Sequence, residues 1–271
     1  MNSQGIIDIH THQPTPYPGK TITDAESARA ILEQMDSFGV AISGLLGHVI
    51  AGQTADEMRA SIRQTRDVVK QAPDRLFGMV FVNPAVPADI LAEELDRNLQ
   101  TPQFRGIKLE LDVNSRDKRL DLVMEKAIQY GVPVLYHSWY LNTWSMSQAE
   151  RDYQGNRSEP HDVADLARRF PEARVIMAHL EGSGLRGILD VADVPNVWID
   201  TSGSQPFTGT LEFAVETLGS KRILFGSDLM GRSLESQLGR IFGANLAEDD
   251  LENILRANAR ELFRITGDRL T

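Results

Sequence analysis

Eight short apolar runs of strand length recur along the chain. They read GIIDIHTH (5–12), VAISGLLGH (40–48), LFGMVFVNP (76–84), FRGIKLEL (104–111), VPVLYHS (132–138), RVIMAHLEG (174–182), NVWIDTSG (196–203) and RILFGSDL (222–229). Between them lie segments whose apolar residues fall at helical spacing. DAESARAILEQMDSFG and DKRLDLVMEKAIQYG both close on a glycine, whereas EPHDVADLARRFP closes on a proline. Strands that alternate with helices predict parallel βαβ units, and eight of them predict an α/β fold of the (β/α)8 TIM-barrel type. No linker or composition shift marks a second domain, so residues 1–271 read as one. The long irregular stretch 139–160 reads as an active-site loop or as an excursion with a short helix of its own. The last helical run, LENILRANARELFRI, is expected to pack on the barrel exterior.

The polar positions inside these runs carry the chemistry. In an extended strand, residues two apart share a face. His10 and His12 would therefore lie side by side, with Asp8 on their face and Ile7 and Ile9 on the other, just before Pro14, Pro16 and Pro18 end the strand. Two adjacent imidazoles suggest half of a metal site. His137, His179 and Asp228 close three further runs, at the strand ends where barrel active sites lie. Neutral imidazoles and a carboxylate suit a divalent ion that keeps a position open for water. Such an ion lowers the pKa of its water towards roughly 7 and makes a hydroxide nucleophile available near neutral pH.

The fourth run adds a buried charge. Ile107, Leu109 and Leu111 share the face expected to meet the helices, so Lys108 and Glu110 should point inward. Glu110, nearer the rim, could bind metal or substrate, or it could simply neutralise Lys108, which needs a partner at that depth. His48, at the end of the second run, is taken as facing substrate or as supporting the groups that do. His161 is given no role.

Composition narrows the partners. A formal net charge of −10 disfavours nucleic acid and anionic lipid. No apolar run approaches the roughly 18 residues that a membrane span requires, and no secretory signal is visible. Cysteine is absent, which removes disulfides and thiolate chemistry and fits a cytoplasmic location. A small-molecule substrate is expected, and a homo-oligomer is left open.

Taken together, IDIHTH, RGIKL, the strand-five histidine, AHLEG, IDTSG, LFGSD and the terminal NARELF resemble the amidohydrolase superfamily in their order. More narrowly they resemble its branch that includes aminocarboxymuconate semialdehyde decarboxylase and many small hydrolases. The resemblance implies a metal-bearing TIM-type barrel in which His10, His12, His137 and Asp228 match the metal ligands. His179 matches a histidine that binds metal or contacts water and substrate, and Asp228 matches the proton shuttle. Relatives often read KLHP on the fourth strand where this chain reads KLEL, so Glu110 could recruit a second ion. A lysine on that strand bridges two metals in other branches, which keeps Lys108 in view. Zinc is the first expectation and manganese the second, with one ion expected and two left open. The leading expectation is a metal-dependent hydrolase of a lactone, amide or ester. The alternative is a metal-dependent non-oxidative decarboxylase of a small carboxylate, with Arg157 in the loop as its anchor.

Overall fold

The computed structural model describes residues 5–14, 21–47, 54–140, 156–203 and 208–266. Eight parallel strands follow one another in the order β1 to β8 around a single (β/α)8 TIM barrel. They are β1 (Ile6–His12), β2 (Val40–Leu46), β3 (Leu76–Phe81), β4 (Phe104–Leu109), β5 (Val134–Tyr136), β6 (Val175–Met177), β7 (Val197–Asp200) and β8 (Ile223–Leu224). The barrel closes between its ends: Ile9 N–H donates to the Phe225 carbonyl, Asp228 N–H to His10 and His12 N–H to Leu229, at 2.8–3.0 Å.

Local chemistry sets the outer helices. Thr23 begins α1 (Asp24–Phe38) through a reciprocal capping box with Glu26, and Thr54 begins α2 (Ala55–Val69) in the same way with Glu57. Gly39 ends α1 at φ 72° and returns its N–H to the Met35 carbonyl, a left-handed cap that a residue with a Cβ adopts only at a cost. Ala28, Ile31 and Met35 of α1 are buried against the barrel wall. Full burial of an aliphatic side chain of this size is worth about 1.5–3 kcal/mol. On β4, Ile107 and Leu109 join this outer core, whereas Lys108 and Glu110 are buried on the inner side.

Three expectations need correction. First, β1 is not a regular strand. Asp8 pairs with Ser43 but Thr11 pairs with Leu45, so one extra residue of β1 is accommodated as a bulge at Ile9–His10. Ile7 and Ile9 consequently pack inward with Leu135, Ile176 and Leu224, while the Asp8 side chain bonds the Thr11 and Ser227 hydroxyls instead. Asp8 does not share the face of the two histidines. Second, the ladders are shorter than the apolar runs. The backbone leaves β6 at His179 (φ 68°, ψ 68°) and enters the helix Leu180–Asp190 at once, so the LEG of AHLEG is helical. Third, the C-terminal helical segment does not lie on the outside. Ala259, Leu262 and Phe263 pack with the inner residues Ile7, Ile9 and Leu224, and Arg105 and Arg174, at the starts of β4 and β6, bond the Phe263 and Leu262 carbonyls. The segment therefore covers the N-terminal mouth of the barrel. Among the described residues no helix is long and apolar enough to cross a membrane.

Candidate metal centre

At the opposite mouth, the bulge in β1 turns His10 and His12 towards the barrel axis, where their ring centroids lie 5.3 Å apart. Asp228 follows β8 with a left-handed backbone, φ 60°. A carboxylate held in this disfavoured region marks a position that the surrounding structure over-determines, as functional sites often do. Its Oδ1 lies 3.2 Å from His12 Nε2 and 3.8 Å from His10 Nε2. Burial would raise the Asp228 pKa, but the His12 hydrogen bond and the neighbouring imidazoles outweigh it and hold the group below the usual carboxylate range.

His10 is wholly buried, and its two nitrogens are treated differently. Nδ1 lies 2.6 Å from Asp200 Oδ2, whereas Nε2 has no hydrogen-bond partner among the described residues. A buried, unpartnered ring nitrogen facing a carboxylate and a second imidazole is what a cation would satisfy. Candidate ligand atoms of His10, His12 and Asp228 all lie within 4.8 Å of one another, so this trio can hold a divalent ion. His10, His179 and Asp200 are grouped as closely. There, however, Asp200 is already used: it also accepts from the backbone N–H groups of His179 and Ser202 and from the Ser202 hydroxyl. The open trio is the first.

A second group stands beside it. Lys108, with no exposed surface, places Nζ 2.7 Å from Glu110 Oε2, and Glu110 Oε1 lies 2.8 Å from His137 Nδ1. Burial pushes the Glu110 pKa up, but the charges on His137 and Lys108 prevail and hold it well below the ordinary value. His179 lies between the two groups, its ring 4.9 Å from His10 and 4.6 Å from His137. Its Nε2 is 3.1 Å from His137 Nδ1 and its Nδ1 is 2.8 Å from Ser202 Oγ. Burial first, then the neighbouring imidazoles, keep its pKa well below that of a free histidine.

Of the residues singled out in the sequence, His10, His12, Asp228, His137, His179, Glu110 and Lys108 thus converge on one mouth. His48 lies outside the described residues, as does the loop segment 141–155. Arg157 is half-buried, and no contact described for it reaches the histidines; its carbonyl accepts from Asn114. Among the described residues, a cation that does lie beside Asp228 is Arg232, with Nε 3.7 Å from Asp228 Oδ2. Asp200 and Ser202 went unassigned in the sequence, although alternation along NVWID places Asp200 on the inward face with Trp198. Trp139 was also missed. Its indole lies 5.5 Å from the His179 ring and occupies the space beside Gly182.

The chain is similar to several characterised proteins. Gamma-resorcylate decarboxylase of Rhizobium sp. (strain MTP-10005) is 24% identical over 290 residues, spanning 87% of this chain and 86% of that protein. The crystal structure of a 2,6-dihydroxybenzoate decarboxylase complexed with 2,6-dihydroxybenzoate superposes with a TM-score of 0.74 at 19% identity, covering 97% of this chain and 100% of that one. A dihydroxybenzoic acid decarboxylase from Polaromonas sp. JS666, with bound manganese and the inhibitor 2-nitroresorcinol, gives 0.72 at 19% identity over 96% and 97%. At these identities the structural likeness speaks to the fold. The amidohydrolase family model, by contrast, matches residues 7–265, almost end to end, and the chain belongs to that family.

Proposed function

We propose that the protein is a metal-dependent, non-oxidative decarboxylase of a small hydroxylated aromatic carboxylate. The observation that carries the metal dependence is the buried, unpartnered Nε2 of His10 facing His12 and Asp228. The reaction class is supported by the relatives, which are decarboxylases of aromatic acids. His10, His12 and Asp228 would hold the ion, with His137 the fourth ligand suggested by motif. When bound, a divalent ion supplies a Lewis acid that offsets the negative charge on the substrate's oxygens. Arg232 is placed to meet the substrate carboxylate in the role first given to Arg157.

The proton then decides the outcome. As carbon dioxide leaves, the electron pair of the broken C–C bond stays on the ring carbon and must be protonated there. Asp228 offers Oδ1 to the histidines, and its Oδ2 lies 3.7 Å from Arg232 Nε. It is ionised at rest, so the proton it delivers must first come from solvent. Hydrolysis of a lactone, amide or ester is the second reading, favoured by the family description itself.

The test uses manganese-loaded protein with 2,6-dihydroxybenzoate in deuterated, ¹⁸O-labelled water. Carbon dioxide release, with one solvent deuteron on the carbon that bore the carboxylate, is the expected result. Turnover of lactones or esters with solvent oxygen in the product, and none of aromatic carboxylates, would overturn it in favour of hydrolysis.

A further inference from the structure

The rim histidines are joined through a run of close polar contacts that fixes which nitrogens of His179 donate and accept. At one end, Glu110 lies within ion-pair distance of the Lys108 ammonium and of His137 Nδ1, at 2.7 and 2.8 Å, and an ionised carboxylate offers His137 only acceptor oxygens. His137 Nδ1 must therefore carry a hydrogen. His179 Nε2 faces that same nitrogen at 3.1 Å, and two N–H groups cannot point at each other. His179 Nε2 is thus the bare nitrogen of the pair.

The other end gives the same answer independently. Ser202 Oγ lies 2.5 Å from Asp200 Oδ1, a separation that requires a proton between the two oxygens. Serine has one hydroxyl hydrogen, and here it goes to the carboxylate. The Ser202 oxygen, 2.8 Å from His179 Nδ1, must then accept, which places the ring hydrogen on Nδ1. Asp200 also takes the Nδ1 hydrogen of His10 at 2.6 Å. One buried carboxylate therefore orients two imidazoles, the first directly and the second through a serine.

We propose that Asp200 and Ser202 are positioning residues that hold His179 as its Nδ1–H tautomer, leaving Nε2 as the bare, acceptor nitrogen on the side of His137. His179 Nε2 then cannot donate to a developing oxyanion. In this structure the donor facing Nε2 is His137 Nδ1; on the decarboxylase reading, on which this last step rests, a ring hydroxyl of the substrate takes over as that donor. The tautomer itself rests only on the hydrogen bonds, so its failure and the failure of the decarboxylase reading are separately visible.

The experiment is a long-range ¹H–¹⁵N correlation spectrum of zinc-loaded protein labelled at its six histidines, with signals assigned through single His→Gln variants. In the wild type, His179 should show a protonated, pyrrole-type Nδ1 and a bare, pyridine-type Nε2. Ser202→Ala should move His179 towards the Nε2–H tautomer while His10 keeps its wild-type pattern, and Ser202→Thr, which retains the hydroxyl, should restore the Nδ1–H signals. With a turned-over substrate, Ser202→Ala should lower kcat about 10- to 100-fold. A protonated Nε2 in the wild-type spectrum overturns the proposal even if no variant folds. So does a Ser202→Ala spectrum in which His179 is unchanged.

Discussion

Asp8 is a carboxyl group set into the barrel wall. Its Oδ1 accepts from the backbone N–H groups of His10 and Ser227, and its Oδ2 accepts from the Thr11 and Ser227 hydroxyls. Burial raises its pKa by more than these donors lower it. The folded pKa thus lies above the unfolded one, so the folded state resists ionisation while the unfolded chain ionises. This group's contribution is fully present below the unfolded value and is lost as pH rises through the folded one. Asp8→Asn keeps an acceptor for the two N–H groups, and the hydroxyls can turn to accept its amide. Chelated Asp8→Asn protein should therefore gain stability relative to wild type as pH rises through the ordinary carboxylate range, about pH 4, and above it, read as denaturant midpoints. A difference that moves the other way would show that the ionised carboxylate is the favoured form. Glu110 is the opposite case, because Lys108 depends on it. Glu110→Gln leaves a buried ammonium facing a neutral amide and should cost about 3–5 kcal/mol, most of it recovered in Lys108→Met/Glu110→Gln. A loss below 1 kcal/mol on urea unfolding would mean that Lys108 finds another partner.

At the scale of the element, a glycine controls one wall of the centre. A Cβ at Gly182 would stand 2.3 Å from the Trp139 indole, and that indole lies against His179. Gly182→Ala must therefore push Trp139 aside. Overpacking of this kind costs roughly 1–3 kcal/mol, and substrate turnover should fall along with it. Unchanged kinetic constants would remove Trp139 from the account of the site. The same scale shows what the sequence could and could not reveal. Alternation of apolar runs with helical spacing exposed all eight strands, and polar residues ending those runs exposed His137, His179 and Asp228. The β1 bulge was invisible, since a period of two has no room for an extra residue; Asp8 was therefore placed on the wrong face. The helical spacing of LENILRANARELFRI identified an apolar face but not the surface it meets. Asp200 went unassigned because its role depends on partners 190 and 21 positions away, His10 and His179.

For the whole molecule, the centre joins strands from both ends of the chain, since His10 and His12 belong to β1 and Asp228 follows β8. An ion held there bridges the seam where the barrel closes, and it binds the folded chain only. At a free concentration of about 100 times Kd it should add about 2.7 kcal/mol, or roughly 5–10 °C in Tm for a chain of this size. Chelation should remove this increment reversibly. Replacing His10 and His12 together by Ala should abolish it, along with most of the ion retained after purification. The variant also strips Asp200 of its His10 partner, so its own Tm will start lower. Absolute Tm values are therefore the wrong comparison. The difference between loaded and chelated forms of each protein cancels that baseline, because the lost Asp200 bond is absent from both. Wild type should show the increment and the double variant almost none, with circular dichroism reporting a folded barrel in each. An equal increment in both, with unchanged metal content, would place the ion elsewhere and remove the reason for assigning it to β1.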